Sequence, residues 1–237
     1  MQPRDLEIEG RDLDGIHFAM DYLTQQNKVN DGAYVAYDNR ITAENRHVLV
    51  IGGGDTGSDC VGTAIRQGAK SVTQIEILPK PPEQRSGDNP WPYFAKTLKT
   101  STSHEEGCER KWSLSTHRFI GMQQRVTHAE VQEVAWEQLN GSHKMKTVPG
   151  TKEQIDADLI LLAMGFVHPV HEGLLAELGI SLDHRKNIDI NQEMATNVDK
   201  IFAAGDAASG ASLVVTAIAS GRRVAKKIDE FLQTNDK

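Results

Sequence analysis

At 237 residues, 38% hydrophobic and 25% charged, the chain has an ordinary globular composition and enough length to bury one large or two small cores. Its 26 basic and 33 acidic residues leave a net charge of −7, which argues against a nucleic-acid partner, because backbone-phosphate binding needs a concentrated basic surface. No apolar run approaches the roughly 20 residues of a membrane span. The polar, acidic opening MQPRDLEIEGRDLDG is neither a secretory signal nor an Arg-rich transit peptide, which leaves the cytoplasm as the expected location.

Residues 1–45 form a polar leading segment with one short helical candidate at Ile16–Leu23. The apolar, β-branched run Val48–Ile51 suits a buried parallel strand. Thr56–Gln67 follows as a helix with Cys60, Val61, Ala64 and Ile65 inward and Gly68 as its stop. Ser71–Leu78 is the next strand, completing a βαβ unit. After Pro79, Pro81 and Pro82, residues 83–110 read as an irregular excursion. Strands are predicted at 112–120, 124–139 and Lys144–Val148, with Asn140-Gly141 as a hairpin turn. Ala157–Ala163 is another buried strand, Leu174–Leu178 a short helix, and Ile201–Ala204 a short strand running into Gly205-Asp206. The long amphipathic helix Ser212–Leu232 gathers Val214, Ala217, Ile218, Gly221, Val224, Ala225, Ile228 and Phe231 on one face. That face is expected to fold back on the preceding domain or to self-associate with a second chain. The basic residues Arg222, Arg223, Lys226 and Lys227 read as a solvated face of the same helix.

The pattern is α/β: a Rossmann-like dinucleotide-binding domain over 46–166 with an inserted antiparallel β-meander, then residues 167–237. Its chemistry centres on Gly52, Gly53, Gly54, Asp55, Thr56 and Gly57, a G-x-G-x-x-G turn between strand and helix. Gly52 permits the tight turn, Gly54 admits the pyrophosphate, and Gly57 lets the helix pack on its strand. Helix N–H groups and the positive helix end then face the phosphates. Glu76 lies nineteen residues past Gly57 and can accept hydrogen bonds from the ribose 2′-OH, favouring NADH. Lys80 and Arg85 are placed to compensate a 2′-phosphate, so NADH and NADPH both stay open.

A second candidate is the turn at Gly205 and Asp206 before the long helix. Such an Asp can bond a flavin ribityl chain, and a helix start near Ser212, Leu213 and Val214 can stabilise a reduced flavin. By local pattern alone, ordinary helix capping explains the same residues. Cys60 and Cys108 cannot supply the four thiolates of an iron–sulfur cluster and form no C-x-x-C dithiol. Nine His show no ligand pattern, so no metal site is expected, and no catalytic acid or base emerges from spacing.

Four stretches, IGGGDTGSDC, ILPKPPEQR with NPWP, DLILLAMGF, and IFAAGDAASGASLVVTAIASGR, together with HFAMDYLTQQN, resemble the C-terminal half of glutamate synthase small subunits. That family sits among the two-dinucleotide-binding flavoprotein reductases. The resemblance implies hydride transfer from NAD(P)H to FAD, with electrons passing to a glutamate synthase large subunit that makes glutamate from 2-oxoglutarate and glutamine. It implies that Gly205 and Asp206 contact FAD in the C-terminal piece of a FAD-binding domain. Ala163, Met164 and Gly165 would form the crossing between nucleotide and flavin domains. The sole dinucleotide fingerprint starts at Gly52, so only a FAD half-site is expected. The alternative expectation is a truncated nucleotide-binding module without flavin or independent catalysis.

Overall fold

The computed structural model describes residues 1–36, 39–139 and 142–235. In chain order its elements begin with β1 (Gln2–Pro3), β2 (Ile16–Phe18), α1 (Ala19–Asn30), β3 (His47–Ile51), α2 (Gly54–Arg66) and β4 (Ser71–Ile75). Next come α3 (Thr102–Glu105), β5 (Glu109–Lys111), β6 (Leu114–Met122), β7 (Arg125–Leu139), β8 (Ser142–Thr147), β9 (Glu153–Asp156) and β10 (Leu159–Leu162). The last are β11 (Phe166–His168), α4 (Leu174–Glu177), α5 (Asp206–Ser209) and α6 (Val214–Asn235). They form two compact units, residues 5–164 and residues 1–4 with 165–237.

Alternation along the strands sets the layers of the larger unit. Its five-stranded sheet runs β2-β10-β3-β4-β5 with every pairing parallel. Val48, Val50, Val72, Leu159 and Leu161 point to one face, where they meet Ala19 and Tyr22 of α1 and Cys60, Val61 and Ala64 of α2. Leu49, Ile51, Ile75, Ile160 and Leu162 point to the other, against Leu114, Phe119, Val126, Ala129, Val131 and Ile155 of the meander. A strand apolar on both faces is what a sheet covered on both sides requires. Each fully buried aliphatic side chain contributes about 1.5–3 kcal/mol. The meander is antiparallel, with β7 pairing β6, β8 and β9 in turn.

The expected α/β architecture with an inserted antiparallel meander is therefore present, with local differences. Ile16–Phe18 is a strand, not the start of a helix, because it extends the sheet beside β10; α1 begins at Ala19. The short strand expected at Ile201–Ala204 is a single bridge, Ala195 with Phe202. The expected excursion after β4 contains α3 and the edge strand β5. The hairpin turn at Asn140-Gly141 lies outside the described residues. Among the described residues, no helix is long and apolar enough to cross a membrane.

The smaller unit has a modest core of Ile180, Ile188 and Ala203, with Leu175, Ile190, Val198 and Ile201 packed around it. The C-terminal part of α6 joins it through the edge-on contact of Phe231 with Phe202, ring centroids 5.6 Å apart. Its N-terminal end does not pack in this way: Leu213, Val214, Val215 and Ile218 are all at least half exposed.

Candidate functional site

The parallel strand β3 delivers its chain directly into the glycine turn, and each glycine there meets different surroundings. Gly52 has φ +115°, and a Cβ on it would run into the carbonyl of Ala163. A Cβ on Gly57 would stand 2.5 Å from the Gly52 carbonyl oxygen and 2.7 Å from Gln74 Nε2. These two glycines are required by the protein's own packing. Gly54, at φ +74°, is different: a Cβ there meets no described atom within 4 Å. Gly53 faces the Glu76 carboxylate, which fills the space its Cβ would take.

α2 starts at Gly54 with Gly53 as its N-cap, and among the described residues no side chain caps it. The 13-residue helix therefore presents its first-turn N–H groups and its positive end at the turn. Asp55 and Thr56 lie in that first turn, Asp55 exposed. Such a helix end is built to receive an anion.

A polar relay that the sequence reading missed holds the turn from behind. Gln74, 1% exposed in an otherwise apolar strand, donates from Nε2 to the Gly52 carbonyl at 2.9 Å. Its Oε1 lies 2.9 Å from His104 Nε2, which must be the donor, and His104 Nδ1 accepts from the Ser101 amide at 3.1 Å. Burial, with the nearby Arg110 charge second, lowers the His104 pKa from its ordinary value. The neutral tautomer is the one this network uses. A buried Gln in the middle of β4 was the available sequence signal; its partner on α3 was not legible.

Of the predicted ribose residues, Glu76 reaches the glycine turn. Lys80 stacks over Trp112, its Nζ 5.4 Å from the ring centroid. Arg85 Nη1 donates to the carbonyls of Asn89 at 3.1 Å and Tyr93 at 2.9 Å, inside its own loop. The cation beside Glu76 is Arg110, with Nη2 3.6 Å from Oε1.

Ala163 donates its amide to the Ile51 carbonyl at 2.8 Å, and the chain passes from the larger unit to the smaller between Met164 and Gly165. In the smaller unit Gly205, at φ +62°, is pinned by the buried Ser220 hydroxyl, which accepts its amide at 3.0 Å. Asp206 follows as the first residue of α5. Its Oδ1 is buried without a hydrogen-bond partner among the described residues, as is Asn187 Oδ1. Buried acceptors of this kind cost stability unless something else donates to them. Ser212, Leu213 and Val214 lie exposed at the start of α6.

A family model described as pyridine nucleotide-disulphide oxidoreductase matches residues 1–221. The chain belongs to that family. It is 44% identical over 232 residues to the glutamate synthase [NADPH] small chain of Mycobacterium tuberculosis, covering 97% of this chain and 47% of that one. With the Bacillus subtilis glutamate synthase [NADPH] small chain it shares 38% identity, covering 97% and 48%. With the glutamate synthase [NADH] of Schizosaccharomyces pombe it shares 39%, covering 96% and 11%. The chain thus spans about half the length of the two bacterial relatives. Its fold resembles FprA, a Mycobacterium tuberculosis oxidoreductase, at TM-score 0.67 and 13% identity, covering 99% of this chain and 62% of that one. It also resembles T. acidophilum thioredoxin reductase at TM-score 0.61 and 18% identity, covering 96% and 62%.

Both cysteines of this pyridine nucleotide-disulphide oxidoreductase family member are free. Cys60 is buried in the α2 interface, and burial pushes its thiol up to about 12. The thiolate is the reactive form, so Cys60 acts as a small packing residue.

Proposed function

We propose that this chain is the NAD(P)H:FAD oxidoreductase portion of a glutamate synthase small subunit, acting in the cytoplasm with a glutamate synthase large subunit as its partner. The observation that carries the nucleotide part is the turn at Gly52–Gly57, where Gly52 and Gly57 are walled by backbone and Gly54 opens onto free space at an uncapped helix start. The glutamate synthase part rests on 44% identity across 97% of the chain.

The residues present fit the nicotinamide nucleotide and the ribityl–ring end of FAD. Gly53, Gly54, Asp55 and Thr56 would offer backbone N–H groups to the nucleotide pyrophosphate, with Glu76 beside the ribose. Asp206 Oδ1, buried and lacking a donor among the described residues, matches a ribityl hydroxyl, and Gly205 next to it is fixed by Ser220. The exposed residues Ser212, Leu213 and Val214 would lie against the flavin ring end. When bound, the nicotinamide would supply a hydride and the flavin would accept it. The protein's task is to orient and desolvate, because hydride transfer needs ring alignment more than an acid or base.

A flavin titration of the purified chain, read by visible absorbance, tests this. The wild type is expected to bind NAD(P)H, to take up FAD through this half-site when flavin is in excess, and to bleach it anaerobically when NAD(P)H is added. Asp206→Ala should weaken flavin binding roughly ten- to hundredfold, the loss of one hydrogen bond to a charged group, while NAD(P)H affinity stays put. A chain that binds NAD(P)H but takes up no FAD would instead be a nucleotide-binding module.

A further inference from the structure

Which nicotinamide nucleotide the site takes is set, we propose, by Arg110: it is a cation suited to a 2′-phosphate, masked by Glu76, so that the chain prefers NADH. This inference rests on the nucleotide reading above.

Residues in register on neighbouring strands share a face of the sheet. β5 places Arg110 opposite Gln74, whose side chain lies under the glycine turn. Glu76 comes two residues after Gln74 and shares its face, with its carboxylate against Gly53. Glu76 and Arg110 face each other at 3.6 Å with side chains only 20% and 16% exposed. Arg110 Nη1 donates to the Lys99 carbonyl at 3.0 Å, and the guanidinium lies over Trp112 at 5.0 Å from the ring centroid. Its Nε is buried without a hydrogen-bond partner among the described residues. Lys80 sits over the same ring. A carboxylate, a guanidinium, an indole and an ammonium therefore gather at the C-terminal ends of β4 and β5. That is where a parallel sheet of this kind receives the adenosine ribose.

The two cofactors differ there by one phosphate. A ribose 2′-OH would donate to Glu76, whose carboxylate lies 3.6 Å from Arg110. A 2′-phosphate meets the carboxylate first, a like charge in a partly desolvated place. The planar fork of Arg110 matches a phosphate well but is already turned toward Glu76. Arg85 is bound to its own loop carbonyls and does not substitute. Removing the Glu76 charge should therefore release Arg110 as a phosphate receptor. Were Arg110 only an anchor for β5, its loss would change stability and leave the cofactor ratio alone.

Calorimetric titration of the whole chain with NADH and with NADPH tests this, with a melting curve for each variant to establish that it is folded. The wild type should bind NADH at least about tenfold more tightly. Glu76→Gln, which keeps the shape and removes the charge, should swing the ratio toward NADPH roughly ten- to hundredfold. Glu76→Gln/Arg110→Met should abolish that swing, and Glu76→Gln/Arg110→Lys should regain part of it. A wild type preferring NADPH, an unmoved ratio in Glu76→Gln, or a swing that survives loss of Arg110 would each overturn the inference while leaving the nucleotide site standing. A folded wild type that binds neither nucleotide would overturn the nucleotide site and this inference with it.

Discussion

The turns at Gly52 and Gly205 are both glycine-containing entries into helices, yet they are finished to different degrees. The first is closed from within: Ala163 walls Gly52, Gln74 holds its carbonyl, and a 13-residue helix starts at once. The second leads into the four-residue α5, leaves Asp206 Oδ1 without a partner among the described residues, and is followed by exposed Leu213, Val214 and Val215. The comparison separates two kinds of candidate site. One is a backbone cradle whose shape the protein's own packing enforces. The other is a polar group and an apolar surface left without a complement among the described residues.

Substitution at the two glycines should separate the two turns most strongly. Both Gly52→Ala and Gly205→Ala place a side chain at positive φ, a strain of about 1–3 kcal/mol. Gly52→Ala adds overlap with a backbone carbonyl, whereas the Gly205 Cβ meets its nearest described atom, Ala217 Cβ, at an ordinary 3.7 Å. Urea unfolding should show Gly52→Ala to be the worse by about 2 kcal/mol or more. Equal losses would mean the first turn is no more constrained than the second.

The relay behind the turn predicts a smaller effect. Gln74→Leu keeps the size of the side chain but leaves the Gly52 carbonyl and His104 without their partner, a loss of about 1–3 kcal/mol. It should also weaken nucleotide binding several-fold, since the turn loses its brace. Loss of stability with unchanged NADH affinity would confine Gln74 to folding alone.

The smallest effect is the pH response of the same relay. His104 has a lowered pKa when folded, so the folded state favours its neutral form. Its contribution is complete above the ordinary value of 6.5 and is lost as pH falls from there through the folded pKa. Urea midpoints should therefore fall across that window in the wild type, and His104→Gln should flatten this part of the profile. An unchanged slope would remove His104 from the network.

The sequence made the cradle legible because its signals are local. Four apolar residues, three glycines at fixed spacing and a helical face stand consecutively in Val48–Gln67, and each residue's task follows from its own neighbours. The strands β6 and β7 were likewise legible, from their content of Thr, Val, Phe and Trp. What stayed hidden depended on partners far along the chain. β5 is the charged triplet Glu109–Lys111, which has no strand signature and becomes a strand by pairing at the sheet edge with β4. His104 and Arg110 acquire their roles only when the excursion after β4 returns to the glycine turn. Lys80 and Arg85 were attractive by proximity in sequence, but Trp112 and the carbonyls of Asn89 and Tyr93 engage them. At Asp206 local pattern could not separate helix capping from a ligand contact, and the discriminating feature is the unpartnered oxygen.

Calorimetric titration of the wild type and Gly54→Val with NADH decides whether the turn at Gly52–Gly57 is a nicotinamide-nucleotide cradle. The Gly54 side chain would point into space free of described atoms, so the variant should fold with a penalty of about 1–2 kcal/mol for its positive φ. It should also lose measurable NADH binding, because the new branch takes the room the pyrophosphate needs. A folded Gly54→Val chain that binds NADH as tightly as the wild type would contradict the assignment.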